Sequence, residues 1–257
     1  MKMQLPSLTM TEYSIVFNIL SFTIATMGAA ALFFFLAAQT VEPRYRLGVY
    51  ISGLVVAIAC YHYVQIFLSW NGAYTLQAGA YVPTGKPFNP AYRYVDWLLT
   101  VPLLLTELVA VLNLPRNVGR PLQVKLIVAA VLMIVLGYPG EIATAASTKW
   151  LWWAVAMVPF LFIVYTLFAQ LSAAVARQPE RVKDLVAGAR WLTIISWSFY
   201  PIAYLAPVAG LSGSTSEVVL QIGYSIADIV SKAGLGLYIY GIARAKSDIA
   251  EPAVSPA

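Results

Sequence analysis

The chain has 257 residues, 60% of them hydrophobic and only 11% charged, with a formal net charge of +5. Soluble domains carry about 25% charged residues, so this composition, with a mean hydropathy of +0.76, excludes a soluble domain and indicates an all-α protein that crosses a lipid bilayer several times. The basic side chains stand in short loops between apolar runs, which argues against a nucleic-acid partner, and the single cysteine, Cys60, excludes an internal disulfide or a cysteine metal site.

A spanning helix needs about 20 apolar residues. Seven segments qualify, at roughly 12–39, 46–70, 91–113, 122–142, 149–175, 186–208 and 217–243, and together they form one seven-transmembrane domain over residues 1–257. The first run is long enough to remain as a helix rather than be removed as a signal peptide. The breaks carry turn residues or charge, as in Glu42-Pro43-Arg44, Pro83-Thr84-Gly85-Lys86-Pro87, Pro115-Arg116-Asn117, Gln178-Pro179-Glu180-Arg181 and Gly210-Leu211-Ser212-Gly213. The fourth and fifth spans are the least cleanly divided, because Glu141 and Lys149 bracket a very short connection. The longest loop, about 71–90, has the Gly, Pro, Tyr and Thr content of a small hairpin.

Arg44, Arg46, Arg116, Arg120, Lys125, Arg177, Arg181, Lys183, Arg190, Arg244 and Lys246 all fall on one side of this arrangement; Lys2, Lys86 and Lys149 fall on the other. The positive-inside rule then predicts an extracellular N-terminus and a cytoplasmic C-terminus.

Ionisable residues inside spans are functional candidates by default. The second span holds the only histidine, His62, within Cys60-Tyr61-His62-Tyr63. A lone histidine among apolar neighbours is commonly a satisfied core residue. Its functional reading is a partner for an acid, titrating near neutrality. The third span carries Arg93, Asp96, Thr100 and Glu107. Arg93, Asp96 and Thr100 are spaced i, i+3 and i, i+4, so they are expected to form one patch. Eleven residues from Asp96 to Glu107 bring the side chain back to within about 20° of the same face after a rise of about 16 Å. Taken singly, Arg93–Asp96 is as well explained by an ion pair at a helix end, and Glu107 by snorkelling to the interface.

Trp197, Tyr200 and Tyr204 step along one face of the sixth span around Pro201, while Trp97, Trp152 and Trp153 stand on the third and fifth. They read either as ordinary core and interfacial belt or as a slot for a flat apolar group. The seventh span holds the most costly residue, Lys232, four positions after Asp228. A lysine at mid-membrane costs roughly 3 kcal/mol or more, and the i, i+4 spacing gives it an acid on the same face. A static buried pair is the plain alternative, although such pairs are weak stabilisers once desolvated.

The stretches Arg93-Tyr94-Val95-Asp96-Trp97-Leu98-Leu99-Thr100-Val101-Pro102-Leu103, Trp197-Ser198-Phe199-Tyr200-Pro201 and Asp228-Ile229-Val230-Ser231-Lys232, in this order, resemble the type I (microbial) rhodopsins over all seven spans. The resemblance implies all-trans-retinal held on Lys232 as a Schiff base, with Asp96 as counter-ion and proton acceptor and Asp228 as second counter-ion. Arg93 would organise the extracellular half, and Trp97, Trp153, Trp197, Tyr200 and Tyr204 would wall the retinal slot. The set Asp96, Thr100 and Glu107, with Gly137-Tyr138-Pro139-Gly140-Glu141 and the placement of His62, is similar to the bacterial outward proton pumps of the proteorhodopsin and xanthorhodopsin type. Glu107 would then be the proton donor, and His62 would tune Asp96. Leu104 stands at the colour-switch position and implies green absorption. The expected setting is the plasma membrane, with a homo-oligomer as the assembly. The alternatives are a sensory photoreceptor signalling to a membrane partner and a light-driven pump for another ion.

Two departures bear on this. Ala209 and Leu220 stand where the archaeal pumps have a pair of release glutamates, with Glu217 near but unmatched. Trp153 stands where carotenoid-binding relatives have a glycine opening, so no carotenoid antenna is expected.

Overall fold

The computed structural model describes residues 5–170, 172–176 and 178–250, so two of the topology signals, Lys2 and Arg177, lie outside the described residues. Among the described residues, seven long helical rods make up the body of the protein. Helix α1 is Met10–Ala37 and runs into a 3₁₀ turn, Ala38–Thr40. Its start is set by a capping box in which Glu12 N–H donates to Thr9 Oγ1 (3.1 Å) and Thr9 N–H donates to Glu12 Oε2 (2.8 Å). Helix α2 is Pro43–Ala73, with proline in the first turn where its missing N–H costs nothing. Helix α3 is Ala91–Leu112, ended by Asn113 in the left-handed region (φ 52°). Helix α4 is Arg116–Glu141, and α5 is Ala146–Tyr165, prolonged by a π-helical stretch Thr166–Gln170 and a short helix Ser172–Ala176. Helix α6 is Glu180–Leu205. Helix α7 starts at Gly213, turns π-helical over Ile229–Gly234 and runs on to Ala250.

Consecutive helices pack side by side, and α7 returns against α1 and α2, closing a seven-helix bundle. Six of the rods are long and apolar enough to cross a membrane. Helix α6 falls short of that measure. The expected span began at residue 186, but the helix begins a turn and a half earlier and takes in Glu180, Arg181, Lys183 and Asp184. Large apolar side chains face outwards, among them Leu32 (63% exposed), Val158 (68%), Ile195 (69%) and Ile202 (69%). Lipid is the solvent for such a surface, and helices suit it because they bond most of their backbone polar groups internally. The interior contains the polar residues: Arg93, Asp96, Thr100, Glu107, Asp228 and Lys232 are each at most 4% exposed.

The 71–90 loop forms the expected hairpin, strands β2 (Tyr74–Gln77) and β3 (Ala80–Pro83). Its tight turn uses Ala78 (φ 48°) and Gly79 (φ 83°), the positive-φ pair that suits the twist of a two-residue hairpin. A third strand was not foreseen: β1 (Leu8–Thr9) adds to β3, giving the antiparallel order β1-β3-β2 with Leu8 opposite Tyr81. Tyr13 stacks on Tyr81 with ring centres 3.6 Å apart, and Leu8, Trp70 and Tyr74 complete a second apolar core beneath the sheet.

Candidate functional site

The site grows from the amine of Lys232, which is 1% exposed and sits within the π-helical stretch of α7. Single π turns inside α-helices recur at functional sites. Lys232 Nζ donates to Asp228 Oδ1 at 2.5 Å and lies 2.8 Å from Asp96 Oδ2 across the helix interface. One cation therefore faces two carboxylates, each 1% exposed.

The two carboxylates are held differently. Asp228 also accepts from Tyr63 Oη at 2.7 Å, from Tyr200 Oη at 2.6 Å and, more weakly, from Trp97 Nε1 at 3.4 Å. Tyr200 and Ser231 share a further hydroxyl contact of 3.2 Å. Hydrogen bonds to an ionised group contribute about 1.5–3 kcal/mol each, so Asp228 is built to remain an anion. Neither oxygen of Asp96 has a hydrogen bond of good geometry among the described residues; its contacts are the Lys232 ion pair and His62.

Three expected contacts take another form. His62 Nδ1 lies 3.6 Å from Asp96 Oδ1, beyond hydrogen-bond length, and 3.0 Å from its own-helix carbonyl, Ile58 O. His62 is thus an electrostatic neighbour of Asp96, not a bonded partner. Thr100 Oγ1 donates to the main-chain Asp96 O at 2.8 Å, the i−4 bond that buried threonines make within a helix, and leaves the carboxylate alone. Arg93 does not pair with Asp96. Side chains on a helix lean towards its N-terminus, so Arg93, in the first turn of α3, reaches away from Asp96. Its Nη2 donates to Gln221 Oε1, and its guanidinium lies 5.1 Å from the centre of the Tyr224 ring.

Glu107 stands on the same helix as Asp96, towards the opposite end of the bundle. It is fully buried, and neither carboxyl oxygen has a hydrogen-bond partner among the described residues. A Cβ added to Gly48 would meet Ile239 and Val111 at 3.4 Å and the main-chain Glu107 O at 3.5 Å, so α2, α3 and α7 pack closely at this level of the bundle.

Beside Lys232 lies a cavity walled by aromatic rings. Trp97, Leu104, Trp153, Trp197, Tyr200 and Tyr204 line it, together with Asp228 and Lys232 themselves. Trp153 is fixed by donation from Nε1 to Pro201 O at 3.0 Å. Tyr94, Tyr224, Met133, Met157 and Phe160 share the lining and were not foreseen from the sequence. Nor was Tyr63, although it stands next to His62 in the second span. A flat apolar molecule with one end on the lysine fits these walls, since the only charged groups in the lining lie at that end.

The chain matches the family described as bacteriorhodopsin-like protein over residues 16–245. It belongs to that family. It is 30% identical to a green-light absorbing proteorhodopsin from a gamma-proteobacterium, over 87% of this chain and 84% of the relative. It is likewise 30% identical to bacteriorhodopsin of Halobacterium salinarum, over 84% and 79%. Among solved structures, xanthorhodopsin, described as a light-driven ion pump with dual chromophore, superposes with a TM-score of 0.92 at 52% identity, covering 96% of this chain and 98% of that one. A thermophilic rhodopsin superposes with a TM-score of 0.93 at 51% identity, covering 95% and 98%. As a bacteriorhodopsin-like protein the chain is a multi-pass membrane protein whose cofactor is retinal, and a light-driven ion transporter rather than an enzyme. The cavity beside Lys232 suits that cofactor: an amine is present for attachment, two carboxylates balance it, and ring faces supply the walls.

Proposed function

We propose that the protein pumps protons outward across the plasma membrane under light. The observation that carries this reading is the order along α3: a poorly hydrogen-bonded carboxylate, Asp96, beside Lys232, and an isolated one, Glu107, about three turns further on. The positive-inside rule puts Asp96 towards the outside and Glu107 towards the cytoplasm.

In this reading Lys232 is the attachment point, and Trp97, Leu104, Trp153, Trp197, Tyr200 and Tyr204 hold the cofactor's plane. Bound there, retinal supplies the light-driven isomerisation that re-aims the nitrogen's proton. Asp228, fixed by Tyr63 and Tyr200, stays anionic and keeps the site's resting charge balanced. Asp96, whose close donor among the described residues is Lys232 itself, receives the proton. An uncompensated buried charge costs several kcal/mol, so Glu107 rests protonated, and it passes its proton to the Lys232 nitrogen from the cytoplasmic side. His62, 3.6 Å from Asp96, tunes the readiness of that acid to hold the proton. Arg93 organises the outer half through Gln221. Leu104 in the lining supports green absorption. Trp153, bonded to Pro201, closes the wall against a carotenoid antenna.

The test is to illuminate protein-bearing cells and follow external pH. Acidification abolished by a protonophore is expected. Alkalinisation enhanced by the protonophore would replace the proton with another pumped ion, and no pH change would favour a sensor.

A further inference from the structure

The surface that faces lipid is grooved where α4 meets α5. Arg116, Arg120, Val124, Val128, Leu132 and Leu136 follow one another along α4 at four-residue steps, and so make one ridge. From Val124 onward this ridge lines an open groove of about 700 Å³, which shares no lining residue with the cavity beside Lys232. Val155, Val158 and Pro159 of α5 line the facing wall, and these short side chains leave unfilled the space that longer ones would take. Among the described residues the one charged member of the lining is Lys125, at the cytoplasmic end. From Lys125 to Leu136 is eleven residues, a rise of about 16 Å, close to half of a ~30 Å hydrocarbon core. The groove therefore has the length of one leaflet. Arg116, Arg120 and Lys125 make no ion pair among the described residues. The single acid on α4, Glu141, lies at its other end, and α5 has none.

We propose that this groove holds an anionic phospholipid of the cytoplasmic leaflet, with one acyl chain along the Val124–Leu136 ridge and the phosphate against Lys125 and Arg120. Three cations without a counter-charge, at the mouth of a hydrocarbon-lined groove, complement an anionic head on a long apolar tail. Basic pockets between spanning helices on the cytoplasmic side bind such headgroups. A zwitterionic lipid offers the same tail, but its own cation opposes the three on the protein, so the site selects for net negative charge. A second copy of this chain is the poorer occupant, because its cytoplasmic rim carries more basic than acidic side chains and would meet the three cations with like charge. The inference needs the membrane setting and the topology, and is independent of which ion is pumped. Seated there, the lipid backs the wall of the retinal cavity: Met133 and Met157, which line that cavity, are the chain neighbours of Leu132 and Val158, which line the groove.

The experiment takes the full-length, retinal-bound protein, stripped of native lipid in a non-ionic detergent. It is titrated with phosphatidylglycerol or with phosphatidylcholine of the same acyl chains, and bound lipid is read by native mass spectrometry. One phosphatidylglycerol should be retained, more tightly than phosphatidylcholine by roughly tenfold or more. Lys125→Gln should weaken its binding about fivefold, and Arg120→Gln together with Lys125→Gln about 25-fold, the loss of one and of two cations at headgroup level. Lys125→Arg should keep wild-type binding. Val128→Phe fills the groove with the cations intact, and should abolish tight retention while the visible maximum stays unchanged. Where Val128→Phe fails to take up retinal, the charge variants decide. Equal retention of the two lipids, wild-type retention in the double charge variant, or tight retention in a coloured Val128→Phe overturns the proposal. Displacement of the lipid by inorganic phosphate alone would leave only a headgroup contact and overturn the acyl-chain seat. Dimers that Val128→Phe abolishes, with no lipid retained by the wild type, would give the groove to a second copy and overturn it too.

Discussion

Replacing Glu107 with Gln isolates one proton transfer. The side chain keeps its size and loses only the ability to give up a proton. Glu107 is 0% exposed, and neither of its carboxyl oxygens is bonded to another acid among the described residues. A positioned proton donor typically accelerates transfer by about 10²–10⁴-fold. The lower figure raises the barrier by about 2.7 kcal/mol. Return of the proton to the Lys232 nitrogen should therefore slow by about a hundredfold at neutral pH, while transfer to Asp96 keeps its rate. Flash photolysis in the visible separates the two phases. A small membrane-permeant weak acid added to the medium should recover most of the lost rate, because it supplies the missing donor. An unchanged return rate in Glu107→Gln would refute the reasoning, and so would equal slowing of both phases.

Other outcomes follow from the same geometry. Lys232→Ala removes the sole amine in the cavity lining and should give a colourless protein after incubation with retinal; visible absorption surviving purification would overturn the attachment site. Tyr63→Phe and Tyr200→Phe each remove one bond to Asp228, worth about 1.5–3 kcal/mol, and should lower the thermal bleaching midpoint and shift the visible maximum, the double variant more than either. Gly140→Ala would drive a methyl into Tyr204 Oη and place it 2.9 Å from Trp152 Cβ. Overpacking of that kind costs about 1–3 kcal/mol and should slow retinal uptake, because Tyr204 has to move into the cavity it lines; uptake at the wild-type rate would show that Tyr204 yields outward.

Some of this site could be read directly from residue spacing. A cation inside an apolar run needs a counter-charge, and an acid four residues away lies on the same helix face; Lys232 and Asp228 therefore point to each other, and their contact is made at 2.5 Å. The seven spans were legible because apolar length is a coarse signal; α6 shows its limit, since the charged first turns belong to the same helix as the aromatic face. What escaped depends on direction. Arg93 and Asp96 have the spacing of a pair, yet the lean of helical side chains sends Arg93 to Gln221. Nothing in Cys60-Tyr61-His62-Tyr63 says that Tyr63 points inward and Tyr61, 60% exposed, points to lipid. The partner of Arg93 was within reach: Gln221 falls in phase with Asp228, a pattern that period counting along α7 would have shown. The π-helical stretch Ile229–Gly234 around Lys232 has no comparable cue in the spacing of its residues.

The strand pairing that ties Leu8 to Tyr81 has a consequence for the order of assembly. The partner of the first strand is not made until α1 and α2 have both been synthesised, so this end of the bundle cannot be clasped while either helix is still entering the bilayer. The clasp can close only if those two helices have been threaded with opposite directions, which brings residues 8 and 81 to the same face of the membrane. The three short strands can thus come together only when α1 and α2 cross in opposite directions. A chain with α1 threaded backwards would leave β3 with an open edge and Tyr13 without the ring it stacks on.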